Sequence, residues 1–263
     1  MAESSTPRLL SELRGRVLLL TLSHPSARNA MHPDMYRSAH AIFAATAQDL
    51  DIGSVVLCGD GAHFCGGGDL RRLQQQRALP SHTQAEHLDA LHDWVVAMRQ
   101  CPQPVIAAVE GVVAGGGFSV ALGCDLLVAA ADARFVMSYV RVGLSPDDGG
   151  SDALARALPS QLALELLLDG DSCSAQRLHE LGLVNRVTPP GEATATALAW
   201  ATRLVEGPRQ AQQRIKELVY AARGRGHRTQ LDAERDAFVA SLYGPECGEG
   251  IDALLNKRTP RFH

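Results

Sequence analysis

Two glycine-rich turns hold the backbone groups of this chain that could take part in chemistry. The first runs from His63 to Leu70 and the second from Gly111 to Gly117, and each follows a short apolar run typical of a buried strand. Glycine tolerates positive φ angles and lets a ligand approach the backbone closely. If the fold brings the two turns together, they could direct two N–H groups at one oxygen atom. Such an oxyanion hole stabilises negative charge that develops on a carbonyl oxygen.

A carboxyl group stands in a third turn, Val142 to Gly150, which proline and glycine frame. Asp147 lies in this turn, shortly after a strand-like segment. A carboxyl group that is buried in apolar surroundings has a raised pKa. Asp147 could instead cap a helix that begins near Gly149 or Asp152, because Asp is a preferred N-cap. The neighbouring Asp148 could be that cap or a second acid.

The order of apolar and helical patterns around these turns predicts an α/β fold. Strands are expected over 16–22, 54–58, 105–109, 126–130 and 134–137, with a helix over 33–50 and helices after both glycine turns. Strands that alternate with helices are typical of parallel sheets. From about Gln161 the pattern becomes helical, with helices over 161–168, 174–181, 193–206, 208–223 and 228–242. We therefore predict a core unit over 1–195, which contains the site, and a helical portion over 196–263.

The composition argues against several classes of protein. A chain of 263 residues with 46% hydrophobic residues can bury a full core, and its net charge of −4 indicates no basic surface for nucleic acid. No uninterrupted apolar run approaches the roughly 18 residues of a membrane span. Six cysteines without C-x-x-C spacing are expected to be buried or free thiols in a reducing compartment. We expect a cytoplasmic protein with no membrane or nucleic-acid partner.

Neither the glycine turns nor the histidines predict a cofactor or a metal ion. The chain has no G-x-x-x-x-G-K-[ST] sequence, and its second glycine turn lacks G-x-G-x-x-G spacing. His82, His87 and His92 are spaced by five residues and therefore do not share one helix face. Trp94 and Met98, which do share a face, are expected to pack in the core.

The chain resembles the crotonase family, also called the enoyl-CoA hydratase/isomerase superfamily. The resemblance lies in the order and spacing of several motifs and covers nearly the whole chain. The matching segments are residues 25–31, 64–70, 111–118, 124–126, 146–150, 181–184 and 257–262. The resemblance implies an acyl-CoA thioester as the substrate partner. It also implies a crotonase-like spiral of ββα units, followed by a helical C-terminal portion that packs subunits into homotrimers or hexamers.

The resemblance also implies roles for residues that bind substrate. The amides of Gly66 and Gly116 match the two oxyanion-hole donors. Arg28 and Lys257 match positions near the CoA phosphates, with a solvated surface charge as an equal alternative for both. The segment that holds the adenine end of CoA in the family matches Gly66, Gly67, Gly68, Asp69 and Leu70. Asp69 and Asp125 are further expected to order a turn and a strand end.

The reaction depends on the acids that this chain keeps. The family's hydratases use two glutamates that flank the substrate, and the matching positions hold Ser119 and Tyr139, neither of which readily replaces a carboxylate. Asp147 matches the single acid of several isomerase branches, which moves a proton between two carbons through a dienolate. We predict an acyl-CoA isomerase that shifts a double bond or rearranges a ring acyl-CoA, with no cofactor beyond the CoA of the substrate. A hydratase with an atypical acid and a non-catalytic acyl-CoA-binding protein are the alternatives.

Overall fold

A largely parallel sheet forms the centre of the computed structural model, which describes residues 6–262. The strands of this region are β1 (Arg8–Arg14), β2 (Val17–Ser23), β3 (Ser54–Gly59), β4 (Val105–Val109), β5 (Val112–Ala114), β6 (Leu126–Ala130), β7 (Arg134–Val136), β8 (Ser172–Ser174) and β9 (Arg186–Thr188). The large sheet has the order β1-β2-β3-β4-β6-β9, and only β1 pairs antiparallel. A small sheet has the order β5-β7-β8.

Helices follow the strands and cover the sheets. They are α1 (Pro33–Gln48), α2 (Leu70–Gln76), α3 (Ser81–Gln100), α4 (Gly116–Gly123), α5 (Gly150–Ala157), α6 (Ser160–Asp169), α7 (Ala175–Glu180), α8 (Ala193–Val205), α9 (Arg209–Ala222), α10 (His227–Leu242) and α11 (Pro245–Leu255). Within the described chain, β4, β5 and α4 form one turn of a spiral, and β6, β7 and α5 form the next. Each turn gives one strand to each sheet and then a helix. This arrangement confirms the predicted spiral of ββα units.

Both faces of the large sheet are buried, as expected for parallel strands covered by helices. Alternate residues of β2, β3 and β4 face a core that includes Phe43, Trp94 and Met98, which come from α1 and α3. Trp94 and Met98 are fully buried, which confirms their packing role.

The opposite face of the sheet packs against α8. Its Ala193, Ala197 and Ala201 recur every four residues, are fully buried, and contact the residues of the strands that point away from the first core. The boundary predicted after residue 195 therefore falls inside a helix that belongs to the sheet. The packing favours a division after α8, where α9 begins the chain's last group of helices.

The connection between the body and these last helices runs through Asp125. Its carboxylate accepts hydrogen bonds from the Val105 N–H at 2.7 Å, from Lys216 Nζ at 2.7 Å and from Tyr220 Oη at 2.6 Å. Asp125 therefore orders the start of β4 and holds α9 against the body, as expected from its place at a strand end.

Two further sequence expectations concern membranes and thiols. Among residues 6–262, no helix combines the length and the apolar character that crossing a membrane requires. Each of the six cysteines is a free thiol, and four of them are buried.

Candidate active site

The two glycine turns lie side by side. Cys65 bridges Val113 in parallel register, and the Ala114 N–H donates to the Cys65 carbonyl at 2.9 Å. Gly67 has a φ of +88°, and a Cβ atom there would stand 2.7 Å from the Ala114 carbonyl oxygen. Only glycine therefore fits at this crossing. The next residue, Gly68, bridges Met31, whose methyl group lies against Gly116 at the beginning of α4.

Gly116 is the first residue of α4, a buried helix of eight residues. The first N–H groups of a helix have no partner within the helix, and its dipole favours a negative charge at this end. In the described part of the chain, no hydrogen bond engages the N–H of either Gly116 or Gly68. Two amide donors are therefore available where the two turns meet.

Gly66 does not fit the predicted role of an oxyanion donor. Its N–H donates to the Arg28 carbonyl oxygen at 2.7 Å, so it is already engaged within the protein. Arg28 takes a left-handed conformation with a φ of +52°, which turns this carbonyl toward the glycine turn. The prediction of Gly66 as the first donor is therefore wrong in this geometry, and Gly68 is the residue of the same turn whose N–H remains free.

The third turn brings two carboxyl groups to one hydroxyl group. Tyr139 lies in a short 3₁₀ turn, Ser138–Val142, and its Oη contacts Asp147 Oδ1 at 2.9 Å and Asp148 Oδ1 at 2.6 Å. Ser119 Oγ lies 3.3 Å from the same Oη. The positions of the two absent glutamates therefore hold side chains that contact the carboxyl pair.

Neither carboxyl group of the pair caps a helix. The N-cap of α5 is Gly149, with a φ of +85° and no side-chain hydrogen bond, and Asp152 lies in the first turn of that helix. The capping interpretation of Asp147 and of Asp148 is therefore wrong. The side-chain contact that the two carboxyl groups share is the one to Tyr139.

Asp148 is the more buried member of the pair. Its side chain is buried, and its Oδ2 makes no hydrogen bond in the described structure. That oxygen stands 2.8 Å from the place where a Cβ of Gly116 would be. Burial, together with the charge of Asp147, raises the pKa of Asp148 to about 7. The same causes, burial first and then the charges of Asp148 and Asp147, raise the pKa of Tyr139 well above its ordinary value, so its hydroxyl stays protonated.

His92, whose spacing predicts no metal site, contacts the carboxyl turn. His92 on α3 contacts the backbone carbonyl of Asp147 through its Nε2 at 2.5 Å. Asp147 is half-buried, whereas Asp148 beside it is buried. Residue spacing along α3 could not reveal this contact because it joins residues 55 positions apart.

The predicted CoA-binding residues lie at two separate places. Asp69 accepts hydrogen bonds from the N–H groups of Arg71 and Arg72 and so caps α2, which confirms its ordering role. Leu70 and Arg28 are exposed beside the first glycine turn. Lys257 follows α11, which packs on α10, and within residues 6–262 no hydrogen bond or ion pair joins its ammonium group to the glycine turns.

Comparisons with known proteins agree with this geometry. The family model "Enoyl-CoA hydratase/isomerase" matches residues 12–263. The chain is 32% identical to 1,2-epoxyphenylacetyl-CoA isomerase of Escherichia coli K12 over 97% of each protein. It is also 32% identical to 2,3-dehydroadipyl-CoA hydratase of the same strain, covering 97% of this chain and 98% of that protein.

Solved structures give the same result. The crystal structure of an enoyl-CoA hydratase from Polaromonas sp. JS666 superposes with a TM-score of 0.96 at 49% identity and covers 97% of this chain and all of that one. The fold, the paired glycine turns and these comparisons agree, and the chain belongs to the enoyl-CoA hydratase/isomerase family, the crotonases.

Proposed function

We propose that this protein is an acyl-CoA isomerase that shifts a double bond, or rearranges a ring acyl-CoA, through an enolate held in an oxyanion hole. One observation supports the proposal: Asp147 and Asp148 meet at the Tyr139 hydroxyl group and Asp148 lies against Gly116, while Ser119 and Tyr139 occupy the positions of the hydratase glutamates. Asp147 is the proton shuttle that the family pattern assigns. The name of one relative also supports an isomerase, since the chain is 32% identical to 1,2-epoxyphenylacetyl-CoA isomerase.

The chemistry begins at the thioester carbonyl. An α-proton of an acyl-CoA becomes acidic when negative charge on the carbonyl oxygen is stabilised as it develops. The N–H of Gly116, at the positive end of α4, supplies one donor, and the free N–H of Gly68 supplies the second in place of Gly66. A carboxylate then takes a proton from one carbon and a carboxylic acid returns one to another carbon. No water adds, and the reaction needs no cofactor beyond the CoA of the substrate.

The binding of CoA is assigned to the rim of the first glycine turn. Gly67, Gly68, Asp69 and Leu70 offer backbone groups to the adenine end, and the exposed guanidinium of Arg28 stands beside them as a cation for phosphate. Lys257, in the C-terminal segment, is proposed as a second cation for the CoA phosphates. Ser119 and Tyr139 contribute to the substrate side by holding the carboxyl pair.

The substitution Asp147→Asn tests the proposal. We expect the rate of conversion of 3-hexenoyl-CoA to 2-hexenoyl-CoA to fall by about 10²-fold or more, because loss of a positioned acid-base group typically costs 10²–10⁴-fold. Binding of hexanoyl-CoA should change little, as measured by calorimetry. Asp152→Asn, which alters an exposed carboxylate of α5, is the matched control. Unchanged turnover in Asp147→Asn would remove this residue from its role.

Hydration of an enoyl-CoA is the second candidate. The observation that favours it is the pair of carboxyl groups at Tyr139, since adding water requires one group that activates water and one that protonates carbon. The relatives include 2,3-dehydroadipyl-CoA hydratase, at 32% identity. A product heavier than 2-hexenoyl-CoA by one water molecule would identify this reaction.

A further inference from the structure

We propose that the isomerisation uses two acids that act on different carbons: Asp148 exchanges the proton of the α-carbon, and Asp147 exchanges the proton of the more distant carbon. The proposal rests on the proposed function and divides its proton transfer between two neighbouring residues. Asp148 is thereby a catalytic residue of its own.

The position of Asp148 Oδ2 carries the assignment. This oxygen is buried, has no hydrogen-bond partner in the described structure and lies against Gly116, 2.8 Å from the place of its absent Cβ. An unsatisfied buried carboxylate oxygen is costly, and its persistence calls for an explanation such as a ligand or a reacting group. The α-carbon of a thioester lies one bond from the carbonyl that the Gly116 N–H binds. A thioester bound at the Gly116 N–H would therefore have its α-carbon close to Asp148 Oδ2.

Gly116 itself reserves this space. A Cβ at position 116 would collide with the Met31 methyl group and would stand 2.8 Å from Asp148 Oδ2. The absence of a side chain thus lets the carboxyl group reach the backbone that forms the oxyanion hole. Glycine at this position serves the acid as well as the amide donor.

Asp147 occupies a different place. Its Oδ1 contacts the same hydroxyl group, 2.9 Å from Tyr139 Oη, and its side chain is half-buried. His92 holds its backbone carbonyl, so the turn is anchored to α3. The two carboxyl groups contact one hydroxyl group, but Asp148 is buried and Asp147 is half-buried. We therefore assign them to two different carbons of an extended acyl chain.

The proton transfers balance with one proton on the pair. From a 2-enoyl-CoA, Asp147 carboxylate takes a proton from C4, and the C–H electron pair enters a dienolate whose negative charge lies on the thioester oxygen. Protonated Asp148 then gives its proton to C2, and the double bond remains between C3 and C4. The pair now carries its proton on Asp147, and exchange with solvent restores the starting form. The reverse reaction uses the same steps backward.

The groups around Asp148 support this distribution of charge. Like charges in one site cannot both ionise readily, so one of the two carboxyl groups keeps a proton. The other titratable side chains that act on Asp148 or feel its charge are Tyr139, Tyr36 on α1 and Cys65. Burial raises the pKa of each of them, to about 12 for Cys65, so these groups stay neutral near pH 7. Ser119 Oγ on α4 contacts the Tyr139 hydroxyl group at 3.3 Å and carries no charge.

Exchange of α-protons in a saturated acyl-CoA separates the two roles. Hexanoyl-CoA has acidic protons at C2 but no double bond to move, so deuterium uptake from D₂O reports Asp148 alone. We expect Asp148→Asn to reduce this uptake by at least 10²-fold, with isomerisation lost as well. Asp147→Asn should abolish isomerisation and keep α-exchange within about tenfold of wild type. Asp152→Asn serves as the control, and circular dichroism checks that each variant is folded.

Two outcomes separate this inference from the proposed function. Loss of α-exchange in Asp147→Asn with retention in Asp148→Asn would overturn the division of labour and leave the isomerase proposal standing. The wild type could instead exchange α-protons without any isomerisation. If Asp148→Asn then abolished this exchange, the role of Asp148 at the α-carbon would be supported and the isomerase proposal overturned.

The pH profile of α-exchange gives a second test that does not depend on variants of Asp148. Exchange requires ionised Asp148, so its rate should rise with pH around pH 7. Tyr139→Phe should move the midpoint to higher pH, because the hydrogen bond that favours the carboxylate is lost. Asp147→Asn should move it to lower pH, because a like charge is lost. Midpoints that do not move in either variant would overturn the proposal.

Discussion

At Tyr139, one hydroxyl group contacts two carboxyl groups and must serve both. Its single O–H donates to one oxygen at a time, so one of the two contacting carboxyl oxygens lacks this hydrogen bond at any moment. Neither carboxyl group caps α5, because Gly149 takes that position in a left-handed conformation. Neither Asp147 nor Asp148 is therefore needed as the N-cap of α5.

Because the pKa of the buried Asp148 is raised, we expect the stability of the protein to depend on pH. Its pKa is near 7 in the folded protein and about 3.9 in an unfolded chain, so between these values the folded state holds a proton that the unfolded state releases. The free energy of unfolding therefore falls as pH rises through this window. We expect Asp148→Asn to remove that loss, so that its gain over wild type is roughly 2–3 kcal/mol larger at pH 8 than at pH 5. Urea denaturation at both pH values measures it.

The control for this prediction is Asp152→Asn, which alters an exposed carboxylate. Its unfolding free energy should differ from that of wild type by the same amount at both pH values. A gain in Asp148→Asn that is equal at pH 5 and pH 8 would show that Asp148 is already ionised at the lower value.

Replacing Gly67 by alanine should destabilise the protein by more than backbone strain alone. Its φ of +88° and the Ala114 carbonyl, 2.7 Å from an added Cβ, both oppose a side chain. Gly182 has a φ of +79° with open space around it, so Gly182→Ala reports strain alone. We expect Gly182→Ala to cost about 1 kcal/mol and Gly67→Ala at least twice as much in urea denaturation. Equal costs would mean that the two turns are less tightly packed than described.

Individual residues also show how far sequence can predict a site. The carboxyl turn and the second glycine turn were identified from residue type and order. The choice between Gly66 and Gly68 was not, because it depends on which N–H the Arg28 carbonyl engages, and that contact joins distant segments. The distances of His92 and Asp148 from their partners are set by packing in the same way.

At the scale of elements, helix α8 shows how small residues join a helix to a sheet. Its buried alanines recur every four residues, which places them on one face and lets the helix axis approach the strands closely. The sequence pattern predicted this helix and those over 208–223 and 228–242 within two residues of the observed ends. It did not predict that α8 covers the sheet, since an alanine face is compatible with either a sheet or another helix. It likewise missed β1, whose largely exposed residues pair at the sheet edge.

Substitution in α8 tests this packing. Ala197→Leu should destabilise the protein by about 1–3 kcal/mol, because extra methylene groups force strain into a filled core. Ala199→Leu, two positions along on the exposed face, should change stability by no more than about 0.5 kcal/mol. Thermal or urea unfolding of both variants measures the difference, and equal stability would place α8 away from the sheet.

At the scale of the whole molecule, the C-terminal helices present apolar side chains to solvent. Leu254 and Leu255 of α11 are 80% and 77% exposed, and Phe238 of α10 is 66% exposed. Exposed apolar patches of this kind are typical of surfaces that contact another chain. We propose that these helices mediate the association into trimers or hexamers that the family resemblance implies.

Light scattering after size exclusion tests that association. We expect a mass of three or six chains for the wild type, and smaller assemblies when Leu254→Glu and Leu255→Glu are combined, because burying two charges at an interface is unfavourable. Arg225→Glu, in the exposed connection between α9 and α10, is the control for added negative charge. A monomeric wild type would contradict this proposal.

The movement of a double bond in an enoyl-CoA distinguishes an isomerase from a hydratase. Wild-type protein is incubated in D₂O with 3-hexenoyl-CoA and, separately, with 2-hexenoyl-CoA, and the products are separated by chromatography and weighed by mass spectrometry. An isomerase converts each compound into the other, with deuterium uptake and without the mass of a water molecule. Addition of water to 2-hexenoyl-CoA with no movement of the double bond would contradict the claim and identify a hydratase.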